Sequence, residues 1–179
     1  MFIAKNNDLI ILAKETREEL EQALKFMVYT DIEETDKNYI LYNGSYVTEE
    51  EILPDVKQVK YDEALQKAND YQQNGTVEHK NCVFEMSDSN RKNLSDTEEA
   101  LKLQGIEETT WLDKDDNYVV LTIEDIQYIR LNLILAEIQK LWIIKYPTYK
   151  ELIAEAETVE EVNAINIDYH SDVPIEEEE

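Results

Sequence analysis

Glycine and proline are scarce, with three of each in 179 residues. So few chain breakers exclude long irregular loops as a main ingredient, and helices should dominate. Cys82 is the single cysteine, which excludes an intramolecular disulfide and a cysteine-based zinc site, so the fold must rest on packing. Histidine is almost as rare. His79 and His170 lie in an expected turn and an expected tail, and neither stands in an HExxH or other paired-ligand spacing. Long apolar runs are missing too: none approaches the roughly 18 residues of a membrane span. The N-terminal apolar runs are interrupted by Lys5, Asn6, Asn7 and Asp8, too early for a signal peptide. The expectation is a soluble protein made and used without secretion.

Positive charge is the next shortage. Seventeen Lys and Arg face forty-one Asp and Glu, a formal net charge of −24. Such a chain repels polyanions, so nucleic acid and anionic membrane are not expected partners. The same charge is accounted for by a well-solvated acidic surface, and it also complements a basic partner. What is present in quantity is core material: 42% of residues are hydrophobic and 32% charged, a globular mixture. A chain of this length buries roughly two-thirds of its unfolded surface.

The signatures of enzyme chemistry are also missing. There is no nucleophile elbow, no phosphate-cradling glycine loop and no dinucleotide fingerprint. Carboxylate pairs carry little information in so acidic a chain. No catalytic, cofactor-binding or metal-ligating residue is assigned, and no cofactor is expected. One stretch does imitate a calcium loop: in "DKDDNYVVLTIE", Asp113, Asp115 and Asn117 alternate and Glu124 falls at the twelfth position. Such a loop needs glycine at its sixth position for a sharp turn, and Tyr118 stands there. "YVVLT" is moreover a strongly β-favouring run. The stretch reads as a hairpin turn, with Thr122 capping the next helix and Glu124 and Asp125 in its first turn.

Along the chain, two β-rich runs flank Asn6, Asn7 and Asp8, predicting a hairpin. Thr16 and Glu19 form a capping box, followed by Leu20, Ala23, Leu24 and Met27 on one apolar face. Asn43-Gly44, between alternating Tyr, Ile and Val, is a strong hairpin signal. After Pro54, residues 55–74 place Tyr61, Ala64, Leu65, Ala68 and Tyr71 in helical register, stopped by Gly75. Lys80-Asn81 turns a second-module hairpin. A helix over 87–104 is closed by Gly105, with its start at Ser87 or, through the Ser95–Glu98 box, later. From Thr122 the chain reads as helical to Tyr146, where Pro147 should break or kink it. Thr158 and Glu161 cap a last short helix.

The helix after Thr122 is the most informative segment. Tyr128, Leu131, Leu135, Ile138 and Trp142 follow a three-four spacing that continues to Tyr149, Leu152 and Ala156. Ile126, Ile129, Leu133 and Ile144 make a second stripe. Two stripes require two neighbours. Either both are intramolecular, or one packs on another chain with Trp142 and Tyr146 as aromatic anchors. The candidate partner interface is therefore Tyr128, Leu131, Leu135, Ile138, Trp142 and Tyr146.

Three segments, "HKNCVFEMSDSNRKNL", "TTWLDKDDNYVVLTIEDIQ" and, beyond the long helix, "YKELIAEAETVEEVNAI", together resemble an uncharacterised domain family of bacteriophage and prophage tail proteins. The resemblance covers about residues 76–169. This chain departs from the pattern at Asn81-Cys82, where members commonly carry a glycine. Residues 1–50 look more weakly like small modules that open some phage tail proteins. The resemblance implies a non-enzymatic role: a chaperone or fibre-associated factor acting on tail fibres, or a minor structural component of the tail or baseplate. The implied partner is a tail fibre or other tail protein, with homo-oligomers left open. The implied location is the host bacterial cytoplasm during assembly, or the virion tail.

The expected fold is α+β. A hairpin-helix-hairpin module spans 1–53, a connecting helix 54–75, and a module of short hairpins with one long helix broken near Pro147 spans 76–168. An acidic disordered tail over 169–179 completes the chain, ending in four glutamates that repel one another.

Overall fold

The computed structural model describes residues 1–6, 9–27 and 31–171. It is a mixed α+β protein of short hairpins and helices. The chain divides into two compact units, Met1–Lys60 with Glu155–Ile165, and Tyr61–Ala154 with Asn166–Glu179.

In the first unit, β1 (Phe2–Asn6) pairs antiparallel with β2 (Leu9–Lys14) and with β3 (Asp31–Glu34), in the order β2-β1-β3. The turn expected at Asn7-Asp8 lies outside the described residues. The register shifts between Ala4 and Lys5, a bulge that bends the hairpin. Helix α1 (Arg17–Ala23) begins in the predicted capping box, with Thr16 and Glu19 bonding reciprocally. It lasts only seven residues, so of its expected apolar face Leu20 and Leu24 are buried with Ala4, whereas Ala23 and Met27 are exposed. Strands β4 (Tyr39–Tyr42) and β5 (Ser45–Thr48) close through Asn43 (φ 47°) and Gly44 (φ 84°), the left-handed pair that a two-residue hairpin requires.

Helix α2 (Glu49–Asn74) starts six residues before the expected 55. The cause is a second capping exchange: the Thr48 N–H donates to Glu51 Oε2 at 2.8 Å, and the Glu51 N–H to Thr48 Oγ1 at 3.4 Å. Pro54 sits inside this helix with no N–H to offer the Glu50 carbonyl. Both residues are exposed, so solvent can serve that oxygen. Residues 155–165, grouped by sequence with the second module, belong to the first unit. There α7 (Val159–Ala164), capped by Thr158 and Glu161, receives at its start a carboxylate from α2, the Val159 N–H donating to Glu49 Oε1 at 2.8 Å.

The second unit holds the larger core. Gly75 ends α2, and a Cβ built on it would collide with Met86 Cε and the Tyr71 carbonyl, so no larger residue fits. Strands β6 (Thr76–His79) and β7 (Cys82–Glu85) turn through Lys80 (φ 52°) and Asn81 (φ 60°), a left-handed pair made without glycine. Ser87 is the N-cap of α3 (Asp88–Gln104), and left-handed Gly105 closes it. The alternative cap, Ser95 with Glu98, lies inside the helix. Strands β8 (Glu108–Leu112) and β9 (Tyr118–Thr122) form the hairpin expected in place of a calcium loop.

From Ile123 to Glu155 the chain is helical throughout, but not uniformly α. Segments α4 (Ile123–Tyr128), α5 (Leu135–Lys140) and α6 (Tyr146–Glu155) are joined by π-helical turns over Ile129–Ile134 and Leu141–Lys145. The interruption expected near Pro147 takes the form of the second of these wide turns, which ends just before α6 and its proline. Its buried side chains are Ile126, Ile129, Ile134, Ile138, Leu141, Lys145, Tyr149 and Ile153. Ile126, Ile129, Ile134 and Ile138 share one core with Phe84, Met86, Leu94, Leu101 and Leu121, contributed by the hairpins, α3 and, for Met86, the link between β7 and α3.

The last segment corrects the expected tail. Tyr169, assigned by sequence to a disordered terminus, is only 2% exposed. Its hydroxyl donates to the Ala64 carbonyl at 3.1 Å, where the small side chains of Ala64 and Ala68 leave α2 accessible. Lys67 and Lys145 donate to the Ile167 and Tyr169 carbonyls, and the Asp168 N–H donates to the Tyr149 hydroxyl at 3.0 Å. Residues 172–179, including the four glutamates, lie outside the described residues.

Candidate partner-binding surface

The six residues singled out on the long helix do not form one seam. A π-helical turn inserts a residue relative to α spacing, so the buried line advances by five from Ile129 to Ile134. A three-four reading carried across that turn therefore lands beside the core. Leu131 (53% exposed) and Leu135 (39%) are on the surface with Tyr128 (46%), while Ile138 is in the core. Trp142 and Tyr146 are half-buried. In the second stripe Ile126 and Ile129 are buried as intramolecular packing requires, but Ile144 is exposed.

Tyr128 stands over a clasp between the β6–β7 hairpin and the long helix. His79 Nε2 lies 2.9 Å from Asp125 Oδ1, and Lys80 Nζ donates to Asp125 Oδ2 at 2.6 Å. The same carboxylate accepts from the N–H and hydroxyl of Thr122, completing the predicted cap. Burial alone would raise the Asp125 carboxyl, but the bonds from Lys80, His79 and Thr122 outweigh it and hold it well below the usual carboxylate range. The His79 ring packs on Tyr128 with centroids 5.3 Å apart.

Beside Leu131 and Leu135, a cavity of about 160 Å³ is lined also by Arg91 and Arg130. Both guanidiniums are held by carboxylates, Arg91 by Asp88 and Arg130 by Glu98. Glu98 is nearly buried and accepts from Lys102, Arg130 and Gln127, which ties α3 to the long helix. The Lys102 bond contributes most to holding its carboxyl low. This end of the surface is thus an apolar strip whose flanking guanidiniums are paired with carboxylates.

Trp142 and Tyr146 form a separate recess. Their rings meet edge-on at 5.3 Å, and the Trp142 Nε1–H donates to Gln72 Oε1 at 2.6 Å. With Tyr61, Pro147, Lys150 and Ala154 they line an open cavity of about 580 Å³. Lys150 Nζ stands 5.9 Å from the Tyr146 ring centre. Sequence reading missed Tyr61 and Pro147 here, because a helix breaker and a residue on a distant helix carry no signal of shared lining.

Beneath lies a tyrosine-rich interior. The Lys145 ammonium donates to the Tyr169 carbonyl and, at 3.3 Å, to Glu137 Oε1, which also accepts from the Tyr71 hydroxyl at 2.9 Å. Burial, reinforced by Glu137, pushes the Tyr71 hydroxyl up. His170 meets the Tyr71 ring edge-on at 4.9 Å, next to a cavity of about 320 Å³ lined by Lys67, Asp70 and Asp168. Tyr71, Glu137, Lys145 and Tyr169 each have a protein partner, so the arrangement supports the fold.

The acid cluster at the β8–β9 turn is occupied in a similar way. Asp113 is 6% exposed, and its carboxylate accepts from the N–H groups of Val83 (3.0 Å), Asp115 (2.9 Å) and Asn117 (2.7 Å). Chiefly the Val83 bond holds its carboxyl low. Burial pushes the neighbouring Cys82 thiol up, with Asp113 adding to the effect. Among the described residues no group of three or more His, Cys, Asp or Glu is placed to hold a metal ion, and no helix is long and apolar enough to cross a membrane.

No protein-family model matches the chain, and no curated protein or solved structure matches it.

Proposed function

We propose that this chain is a non-enzymatic, protein-binding factor of a bacteriophage tail, acting as a tail-fibre assembly chaperone or fibre-associated factor. The observation that carries protein binding is the strip Tyr128, Leu131 and Leu135, three large side chains that the long helix leaves outside its own core. The phage context rests on the sequence resemblance over residues 76–169. On this reading the strip covers apolar surface of an immature fibre subunit, and the net charge of −24 keeps the complex dispersed. The strip sits on a helix braced by the Glu98 and Asp125 clusters, so little backbone freedom has to be lost on binding.

The test is co-expression with the neighbouring fibre gene. The wild-type chain should raise the yield of soluble fibre trimer, and a Leu131→Glu, Leu135→Glu double variant with an unchanged melting temperature should not. An equal yield with and without the chain would sink the proposal. Mass spectrometry of purified particles separates an assembly factor, absent from the virion, from a tail component.

A further inference from the structure

The β8–β9 hairpin keeps three large apolar side chains outside the core, Leu112, Tyr118 and Val120. In its register Glu108 opposes Thr122, Thr110 opposes Val120 and Leu112 opposes Tyr118. Side chains alternate between the two faces of a strand, so these six share one side. The other side carries Trp111, Val119 and Leu121 into the core. On the outer side Leu112 is 47% exposed, Tyr118 78% and Val120 50%. Among the described residues no third strand pairs with either edge. Two apolar residues directly opposed beside the turn, with Val120 next along the strand from Tyr118 and diagonal to Leu112, form a continuous patch and not a scatter of single side chains.

Its surroundings select the occupant. Glu107, Glu108, Asp115, Asp116 and Glu124 are all exposed, while Lys114 is the only basic residue between 107 and 124. A second copy of this chain would bring the same carboxylates against these, which costs free energy in a symmetric contact. We propose that the outer face of this hairpin docks an extended, basic segment of a partner protein, in which apolar side chains two residues apart are flanked on both sides by Lys or Arg. The apolar residues would lie on Leu112, Tyr118 and Val120, the cations would meet the surrounding carboxylates, and the segment's backbone would add to a free strand edge. This surface is distinct in its residues from the helix strip, so it can fail or succeed independently of that reading.

The test is an NMR titration of the full chain with a seven-residue peptide, Lys-Lys-Val-Thr-Tyr-Lys-Lys, and with its counterpart bearing Glu in place of each Lys. The lysine peptide should give saturable shifts at amides of 108–112 and 118–122, and the glutamate peptide none. Tyr118→Ser, at a position too exposed to support the fold, should weaken binding by about tenfold with the melting temperature unchanged. Shifts spread over the acidic surface and insensitive to Tyr118→Ser would reduce the effect to bulk charge and overturn the proposal. So would the absence of shifts, or a dimer that Tyr118→Ser converts to monomer.

Discussion

The ammonium of Lys145 donates to the carbonyl oxygen of Tyr169 at 2.6 Å, fixing the last described segment to the long helix. Lys145 is 4% exposed, and its removal strands that carbonyl and takes the counter-charge from Glu137, which keeps the Tyr71 hydroxyl. Lys145→Ala should cost about 3 kcal/mol in urea unfolding, the penalty for leaving a buried charge uncompensated. Tyr169→Ala should cost about 3–5 kcal/mol. A change below about 1 kcal/mol in both would mean that the segment is not part of the cooperative fold.

Asp125 should make stability depend on acid. Its carboxyl is held low in the folded protein, so its contribution is complete above the unfolded value of about 3.9. That contribution is lost as pH falls from there toward the folded value. Asp125→Asn should therefore lower the melting temperature at pH 7, by an amount equivalent to about 2 kcal/mol. The gap to wild type should narrow progressively below about pH 4. A gap constant from pH 7 to pH 2 would contradict the clasp with His79 and Lys80.

The π-helical turn sets adjacent leucine-like residues in opposite roles. Ile134 is fully buried and Leu135 is 39% exposed. Ile134→Ala should cost about 2–5 kcal/mol and Leu135→Ala less than about 1 kcal/mol. Equal costs, or the reverse order, would restore the uniform α-helical register.

Asp113 should prove to be a turn organiser. Asp113→Ala removes the acceptor for three backbone N–H groups, and hydrogen exchange of Val83, Asp115 and Asn117 should accelerate. Global stability should fall by about 1–3 kcal/mol. Unchanged exchange at all three amides would refute the role.

Much of the local structure was legible because it is written in short-range chemistry. Asn43-Gly44, the Thr16–Glu19 and Thr158–Glu161 boxes, the Thr122 cap and Gly105 each act within a few residues, and each sits where the sequence predicts. The start of α2 escaped because Pro54 reads as a boundary, although the Thr48–Glu51 exchange had already begun the helix. The exposure of the six candidate interface residues was legible only in part. Tyr128, Leu131 and Leu135 are exposed, but Ile138 is core, because spacing cannot reveal where a helix widens. Tyr169 was assigned to the tail because its neighbours are polar and acidic. Its partners, Ala64 and Lys145, are distant in sequence, so no local signal announces the contact.

The widened turns also bear on how this helix changes length over generations. A π-helical turn is an α-helix that has absorbed one extra residue, with the flanking faces left in place. A deletion inside Ile129–Ile134, at exposed Asn132 for instance, should close the turn to regular α geometry and keep Ile129 and Ile138 in the core. The same deletion within α6 would swing every later side chain by about 100°. The long helix thus carries its own sites for gaining or losing a residue, and related chains that differ by one residue there would share one core while presenting different outer faces.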